Sequence, residues 1–160
     1  MYIRHATIDD LKQISSVEAE CFSNDEAASE SSILNRLTVF PNHFWLMFDG
    51  GILVGFVNGM VTDIKDLEDD MYEDASLHDE NGKWQMIFSV CTSLTYRNKG
   101  YAGKILNTVI SDAKAQGRDG LVLTCKNKLI GFYKKFGFTD EGISNSSHGG
   151  AVWHQMRLKF

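Results

Sequence analysis

The sequence predicts an α/β (α+β) fold, a mixed central β-sheet of about seven strands flanked by about four helices, in one domain over residues 1–160. Three observations carry this reading. The chain has 160 residues, 43% hydrophobic and 23% charged, which suits one sizeable core and is short for two. Short apolar runs of strand length alternate with segments of helical period. No internal repeat or low-complexity linker divides them.

Each element follows in order. "YIRHAT" reads as a strand, and Thr7 with Asp10 three residues on has the form of a capping box opening a helix over "DDLKQISSVEAECF". A second helix over "SSILNRLTVF" stops before Pro41. "HFWLMF" and "ILVGFVNGMV" are strands joined by "DGG", whose residues tolerate the positive φ of a tight hairpin. After an acidic excursion, "WQMIFSVCT" is a long apolar run suited to a central strand. "AGKILNTVISDAKAQG" has helical spacing and ends at Gly117; "GLVLTC" is a buried strand, and "KLIGFYKKF" a short helix. "AVWHQMRLKF" closes the sheet beside "FTDEGI".

Composition excludes several functions. A net charge of -5 offers no basic face for nucleic acid. No apolar stretch approaches the roughly 20 residues of a membrane span, and "MYIRHATIDD" lacks the apolar segment of a secretory signal, so a cytoplasmic location is expected. Cys21, Cys91 and Cys125 form no C-x-x-C pair and read as reduced, mostly buried thiols. The five histidines have no metal-ligand spacing, and no metal is expected.

The chemistry concentrates in "YRNKGYAGK", Tyr96 to Lys104, between a strand and a helix. A helix N-terminus leaves backbone N–H groups unpaired and carries partial positive charge, so a bare turn there can wrap a phosphate. Gly100, Ala102 and Gly103 allow close approach, and Arg97, Lys99 and Lys104 add positive charge, which points to a di- or polyphosphate. The stretch is too short for G-x-x-x-x-G-K, and Ile105 stands where a magnesium-binding Ser or Thr belongs. Taken alone, the loop is equally compatible with a surface turn bearing ordinary lysines.

"VCTSLTYRNKGYAGKIL" resembles the R/Q-x-x-G-x-G/A signature of the GCN5-related N-acetyltransferase (GNAT) superfamily, with Arg97, Gly100 and Ala102 in its three places. "GFYKKFGF", Gly131 to Phe138, is similar to the tyrosine-bearing helix and strand that close these enzymes, and the element order agrees over essentially the whole chain. The segment around "ASLHDENG" looks most similar to the branch that contains arylalkylamine acetyltransferases. The resemblance implies a GNAT fold and acetyl-CoA as co-substrate, with its pyrophosphate on Arg97, Asn98, Lys99, Gly100, Tyr101, Ala102, Gly103 and Lys104. It further implies that Asn127 contacts coenzyme A and that its pantetheine arm runs past Val90, Cys91 and Thr92, beside a bulged strand. The implied reaction is direct attack of an amine on the thioester, with Tyr133 as the acid that protonates the leaving thiolate. The two strand histidines of the arylalkylamine branch correspond here to Met86 and Phe88, so that proton route does not carry over.

The acceptor side is less defined. Glu26 and Glu30 stand where a carboxylate could bind an ammonium or simply start a helix in solvent, and Phe88 is a candidate pocket wall. The excursion from Asp63 to Glu80 holds nine acidic residues, either a solvated loop or a rim that attracts cationic amines. His78 reads as a surface-loop residue, and His148 and His154 flank the closing strand. The expected activity is acetylation of a small-molecule primary amine by a monomer or homodimer. Protein or peptide acetylation and a non-catalytic acetyl-CoA-binding module are the alternatives.

Overall fold

The computed structural model describes residues 1–160. β1 (Tyr2–His5) leads through a turn in which Asp10 accepts from the Thr7 N–H at 2.8 Å, the expected capping box, into α1 (Leu11–Cys21). α2 (Glu30–Val39) is capped by the Ser29 hydroxyl, which accepts from the Ser32 N–H, and ends ahead of Pro41. β2 (Phe44–Asp49) and β3 (Ile52–Asn58) form the hairpin, with Gly50 at φ 60 in its turn. Then follow β4 (Val61–Thr62), α3 (Asp69–Glu73), β5 (Trp84–Ile87), β6 (Ser89–Thr92), α4 (Tyr101–Ala115), β7 (Gly120–Cys125), α5 (Ile130–Lys134), β8 (Thr139–Ile143) and β9 (His154–Lys159).

The mixed α/β architecture stands, but its strands number nine in two sheets and its α-helices five. One sheet has the order β1-β2-β3-β6, the other β4-β5-β7-β9-β8. The two additional strands arise because two long apolar runs each break where they cross. Asn58 pairs with Ser89 and Val61 with Gln85, so Met86, Ile87 and Phe88 oppose only Gly59 and Met60. That is a β-bulge, and it turns the second half of the run away from the first. Gly59 is required there, because a Cβ would sit 1.8 Å from the Met86 carbonyl oxygen. α3 is the fifth helix, a short segment inside the acidic excursion.

The bulge decides where a ligand can enter. β5 runs parallel to β7 as far as the Ile87–Leu123 pair, after which β6 pairs only with β3 and β7 continues beside β9. The sheets splay at that point. Alternate strand residues bury on opposite faces: Phe44, Leu46 and Phe56 pack with Ile14, Ile33 and Leu37 of α1 and α2, while Trp45, Val57 and Leu121 pack with Ile105, Leu106 and Val109 of α4.

Most carboxylates of the acidic excursion have structural partners. Asp66 meets Arg157 at 2.6 Å, Asp69 binds the Ser146 hydroxyl and the Ser147 N–H, and Asp63 accepts from the Lys83 N–H. Glu80 lies 3.0 Å from both His43 and His78 and 3.1 Å from Arg118. Burial opposes ionisation of Glu80, but the two imidazoles outweigh it and hold the carboxyl below its ordinary range. Of the expected surface histidines, His78 is therefore part of a packed junction.

Candidate active site

A cavity of about 880 Å³ occupies the splay between β6 and β7 and extends over the start of α4. The end over the start of α4, where a cofactor is expected, is built from backbone. Gly100, at φ 82, caps α4 in the left-handed conformation, and Asn98 precedes it at φ 61. A Cβ on Gly100 would meet nothing within 4 Å, so conformation and not space requires glycine there. Lys104 is the first α4 residue whose N–H bonds back, to the Gly100 carbonyl at 3.2 Å, which leaves the N–H groups of Tyr101, Ala102 and Gly103 directed at the cavity they line. Gly103 packs close to Phe136, 3.1 Å from where its Cβ would lie.

The strand beside this loop adds donors of its own. The Ser93 N–H bonds to the Val54 carbonyl, and by the alternation of an antiparallel ladder Cys91 and Ser89 also bond across to β3. The N–H groups of Val90 and Thr92 therefore point into the splay, where both residues line the cavity. Cys91 does not: its N–H faces β3, it is 1% exposed and absent from the lining, and its thiol donates to Glu18 Oε1 at 3.7 Å. The same alternation that turns its neighbours inward turns it away.

The expected cations sit differently from one another. Arg97 donates from Nε to the Thr92 carbonyl at 3.1 Å and from Nη2 to the Glu20 carbonyl and Cys21 Sγ, fastening the loop to the end of α1. Lys99 and Lys104 lie over the rings of Tyr96 and Tyr101, outside the cavity lining. Asn127 is exposed in the turn after β7 and also stands outside it. Glu30 is likewise outside, paired with Lys12 at 2.9 Å because its helix position turns the carboxylate to solvent. Glu26, Phe88 and Tyr133 line the cavity.

Tyr133 is 6% exposed, its hydroxyl has no protein hydrogen-bond partner, and burial pushes its pKa up, with Cys125 and Cys91 adding to the shift. It stays protonated at neutral pH and can donate to an atom placed in the splay.

The opposite end, where an acceptor is expected, joins Glu26 and Phe88 to residues that sequence reading did not propose for it. Glu18, 3% exposed, accepts from the Ser89 hydroxyl and the Ala28 N–H, both at 2.9 Å. Arg36, 4% exposed, binds Asn58 Oδ1 and the Tyr72 carbonyl and lies 4.7 Å from the Phe88 ring centroid. The Tyr72 hydroxyl meets Thr124 Oγ1 at 3.0 Å. Glu26 bridges two other lining residues: its carboxylate meets Lys126 at 2.6 Å, and its carbonyl meets His148 Nε2 at 2.7 Å. Of the acidic excursion, only Tyr72 and Glu73 reach the cavity, and among Phe44, Trp45, Trp84 and Phe88 only Phe88 does. No periodicity links Glu18, Arg36, Tyr72 and His148, so the sequence carried no signal for them as a group.

Cys21 differs from the other thiols. It lines the cavity half-buried, and the neighbouring Cys91 thiol, then Arg97, lowers its pKa to about 7 against the cost of burial. Cys125, buried at the end of β7, is pushed up to about 11.

His43, His78 and Glu80 bring three metal-type ligand atoms within 4.8 Å of one another, remote from the cavity lining. The Val61 N–H donates to His78 Nδ1 at 3.0 Å, which leaves the His78 proton on Nε2, facing Glu80. A proton there occupies the place of a metal.

No curated protein sequence matches the chain. Among solved structures it is similar to the GphF GNAT-like decarboxylase in complex with isobutyryl-CoA (19% identity, TM-score 0.84, 99% of each chain covered). It is also similar to the PaiA N-acetyltransferase of Thermoplasma acidophilum in complex with coenzyme A (18%, TM-score 0.73, 99% and 98% covered). A third is the ribosomal-protein-S18-alanine N-acetyltransferase of Escherichia coli (15%, TM-score 0.75, 99% and 92% covered). These likenesses carry the fold. The model of the acetyltransferase (GNAT) family matches residues 8–138, from the turn before α1 through the tyrosine helix, and the chain belongs to that family, an acetyl-CoA-dependent acyltransferase.

Proposed function

We propose that this protein transfers the acetyl group of acetyl-CoA directly to the primary amine of a small molecule. The observation that supports the acceptor class is the clasp Glu26 makes in the cavity wall, its carboxylate on Lys126 and its carbonyl on His148. A peptide chain needs an open groove, and a clasp at this point of the wall favours a smaller acceptor. Tyr72, Phe88 and Trp153 give that end an aromatic wall, which suits an aralkyl amine and so the arylalkylamine branch.

In this reading the coenzyme A pyrophosphate rests on the free N–H groups of Tyr101, Ala102 and Gly103. The pantetheine arm lies in the splay, and the N–H groups of Val90 and Thr92 polarise the thioester carbonyl. The amine attacks the carbonyl carbon, the C–S bond breaks, and the Tyr133 hydroxyl supplies the proton to the thiolate.

A panel of small amines and amine-terminated peptides with acetyl-CoA, followed by thiol release and product mass, tests this. A small amine should be acetylated fastest, with aromatic amines ahead of aliphatic ones. Faster acetylation of peptides would make the protein a peptide acetyltransferase; coenzyme A binding without any turnover would make it a binding module.

A further inference from the structure

The amine must lose a proton as the amide forms, and the carboxylates of the cavity are poorly placed to take it. Both Glu18 oxygens are occupied, Glu26 is engaged by Lys126, and Asp25 and Glu73 are exposed at the rim. His148 is different. It is half-buried in the cavity wall, its ring stacked on Tyr72 at 4.7 Å and 16° and lying 6.0 Å from Trp153. Its Nε2 lies 2.7 Å from the Glu26 carbonyl oxygen. A carbonyl can only accept, so Nε2 carries the hydrogen, and in the neutral ring the lone pair is on Nδ1, which has no protein partner.

The lock on that tautomer is built into the packing. Gly149 follows at φ 63, and a Cβ there would lie 2.5 Å from Glu26 Cγ, so the turn bearing His148 presses directly on the segment it bonds. Asp69 fastens the same turn through Ser146 and Ser147. Tyr72 links the imidazole to the splay: its ring centroid is 4.9 Å from that of Phe88 at the bulge, and its hydroxyl meets Thr124 on β7. His148 and Tyr133 therefore line one and the same cavity, His148 beside Tyr72 at the end where an acceptor is expected.

We propose that His148 Nδ1 is the general base of the transfer, an inference that rests on the amine-acetylation reading above. As the amine nitrogen bonds to the thioester carbon, its proton passes to Nδ1. The C–S electron pair leaves on sulfur and takes the Tyr133 proton, and solvent returns the His148 proton to the Tyr133 oxygen. The balance is amine plus acetyl-CoA giving amide plus free coenzyme A. The charged and titratable groups around the ring are Asp25 and Glu26 before α2, Asp69, Tyr72 and Glu73 of α3, and Lys126 after β7.

The test uses an acceptor of low basicity that stays neutral across the pH range, so that any acid limb belongs to the enzyme. His148→Gln keeps a donor for the Glu26 carbonyl and removes the basic ring nitrogen. Its kcat should fall about 10²- to 10⁴-fold with KM for acetyl-CoA unchanged, and the acid limb of the wild-type kcat profile should flatten. Imidazole added to His148→Ala should restore part of the rate. Nitrogen-15 spectra of the wild-type ring should show the hydrogen on Nε2. A His148→Gln kcat within about threefold of wild type, or a ring protonated on Nδ1 alone, overturns the assignment while leaving amine acetylation intact. A wild-type protein that acetylates no amine overturns both.

Discussion

At the cofactor end of the cavity, one run of nine residues, Tyr96 to Lys104, supplies the helix start, the left-handed cap and the free N–H groups. At the acceptor end, Glu18, Arg36, Tyr72 and Thr124 come from four different elements and His148 and Trp153 from the loop between β8 and β9, five segments that meet only when the chain folds. The difference follows from what each end must hold. A phosphate is bound by main-chain dipoles that every residue possesses, so the sequence needs only small residues at fixed offsets. An acceptor is recognised by side chains, whose placement depends on tertiary packing.

The largest effect that sharpens this contrast is at Tyr133, where the two ends meet. Tyr133→Phe keeps the ring and deletes a hydroxyl without a protein partner, so melting temperature and coenzyme A affinity should hold while kcat falls about 10²- to 10⁴-fold. A variant of undiminished kcat, with chemistry rate-limiting, returns Tyr133 to the role of a packed aromatic.

Next in size is Ala102→Asp, which tests whether the cofactor end works through its backbone. An acid in the first turn of α4 should stabilise the free protein by about 0.3–1 kcal/mol through the helix dipole. The same charge repels a phosphate, so coenzyme A affinity in calorimetry should fall roughly tenfold or more, a loss of about 1.4 kcal/mol. Stability and affinity moving in opposite directions is the signature; unchanged affinity places the phosphates elsewhere.

At the acceptor end the matching variant is Glu26→Gln, which releases Lys126 and keeps the carbonyl that holds His148. Loss of a part-buried pair worth about 1 kcal/mol should raise the acceptor KM about two- to fivefold and leave coenzyme A affinity unchanged. An effect on coenzyme A instead would mean that Glu26 belongs to the cofactor end.

What could be read from the sequence divides along the same line. The capping box at Thr7, the hairpin at Gly50 and the helix opening at Gly100 were legible because each is set within a few residues. The bulge at Met86 to Phe88 was not: the run is uniformly apolar, and its break is imposed by Gly59 crossing from another strand. The acidic excursion misled for a related reason, since Asp66 and Asp69 find partners about 80–90 residues away. His148 read only as a flank of the closing strand, and its place beside Glu26 and Tyr72 is set by the fold.

Cys21 lies on the boundary between the two ends and has the smallest expected effect on turnover. Its sulfur is reached by Arg97 of the cofactor loop at 3.5 Å, its own thiol donates to the Thr92 carbonyl at 3.4 Å, and Cys91 stands behind it. With its pKa lowered to about 7, the thiolate fraction rises through neutral pH, whereas burial keeps Cys125 near 11 and holds Cys91 higher than an ordinary thiol. Iodoacetamide should therefore modify one cysteine, at a rate that rises with pH and is half-maximal near 7, and acetyl-CoA should protect it by filling the wall it lines. Arg97→Ala should move that midpoint upward, since a cation that favours the thiolate is lost. Cys21→Ser should alter kcat by less than about threefold, because the thiol fastens the loop and takes no part in proton transfer. A wild-type midpoint near that of an ordinary thiol would show that Cys91 and Arg97 do not favour the Cys21 thiolate in solution, and Cys21 would then join the other two as an unreactive thiol.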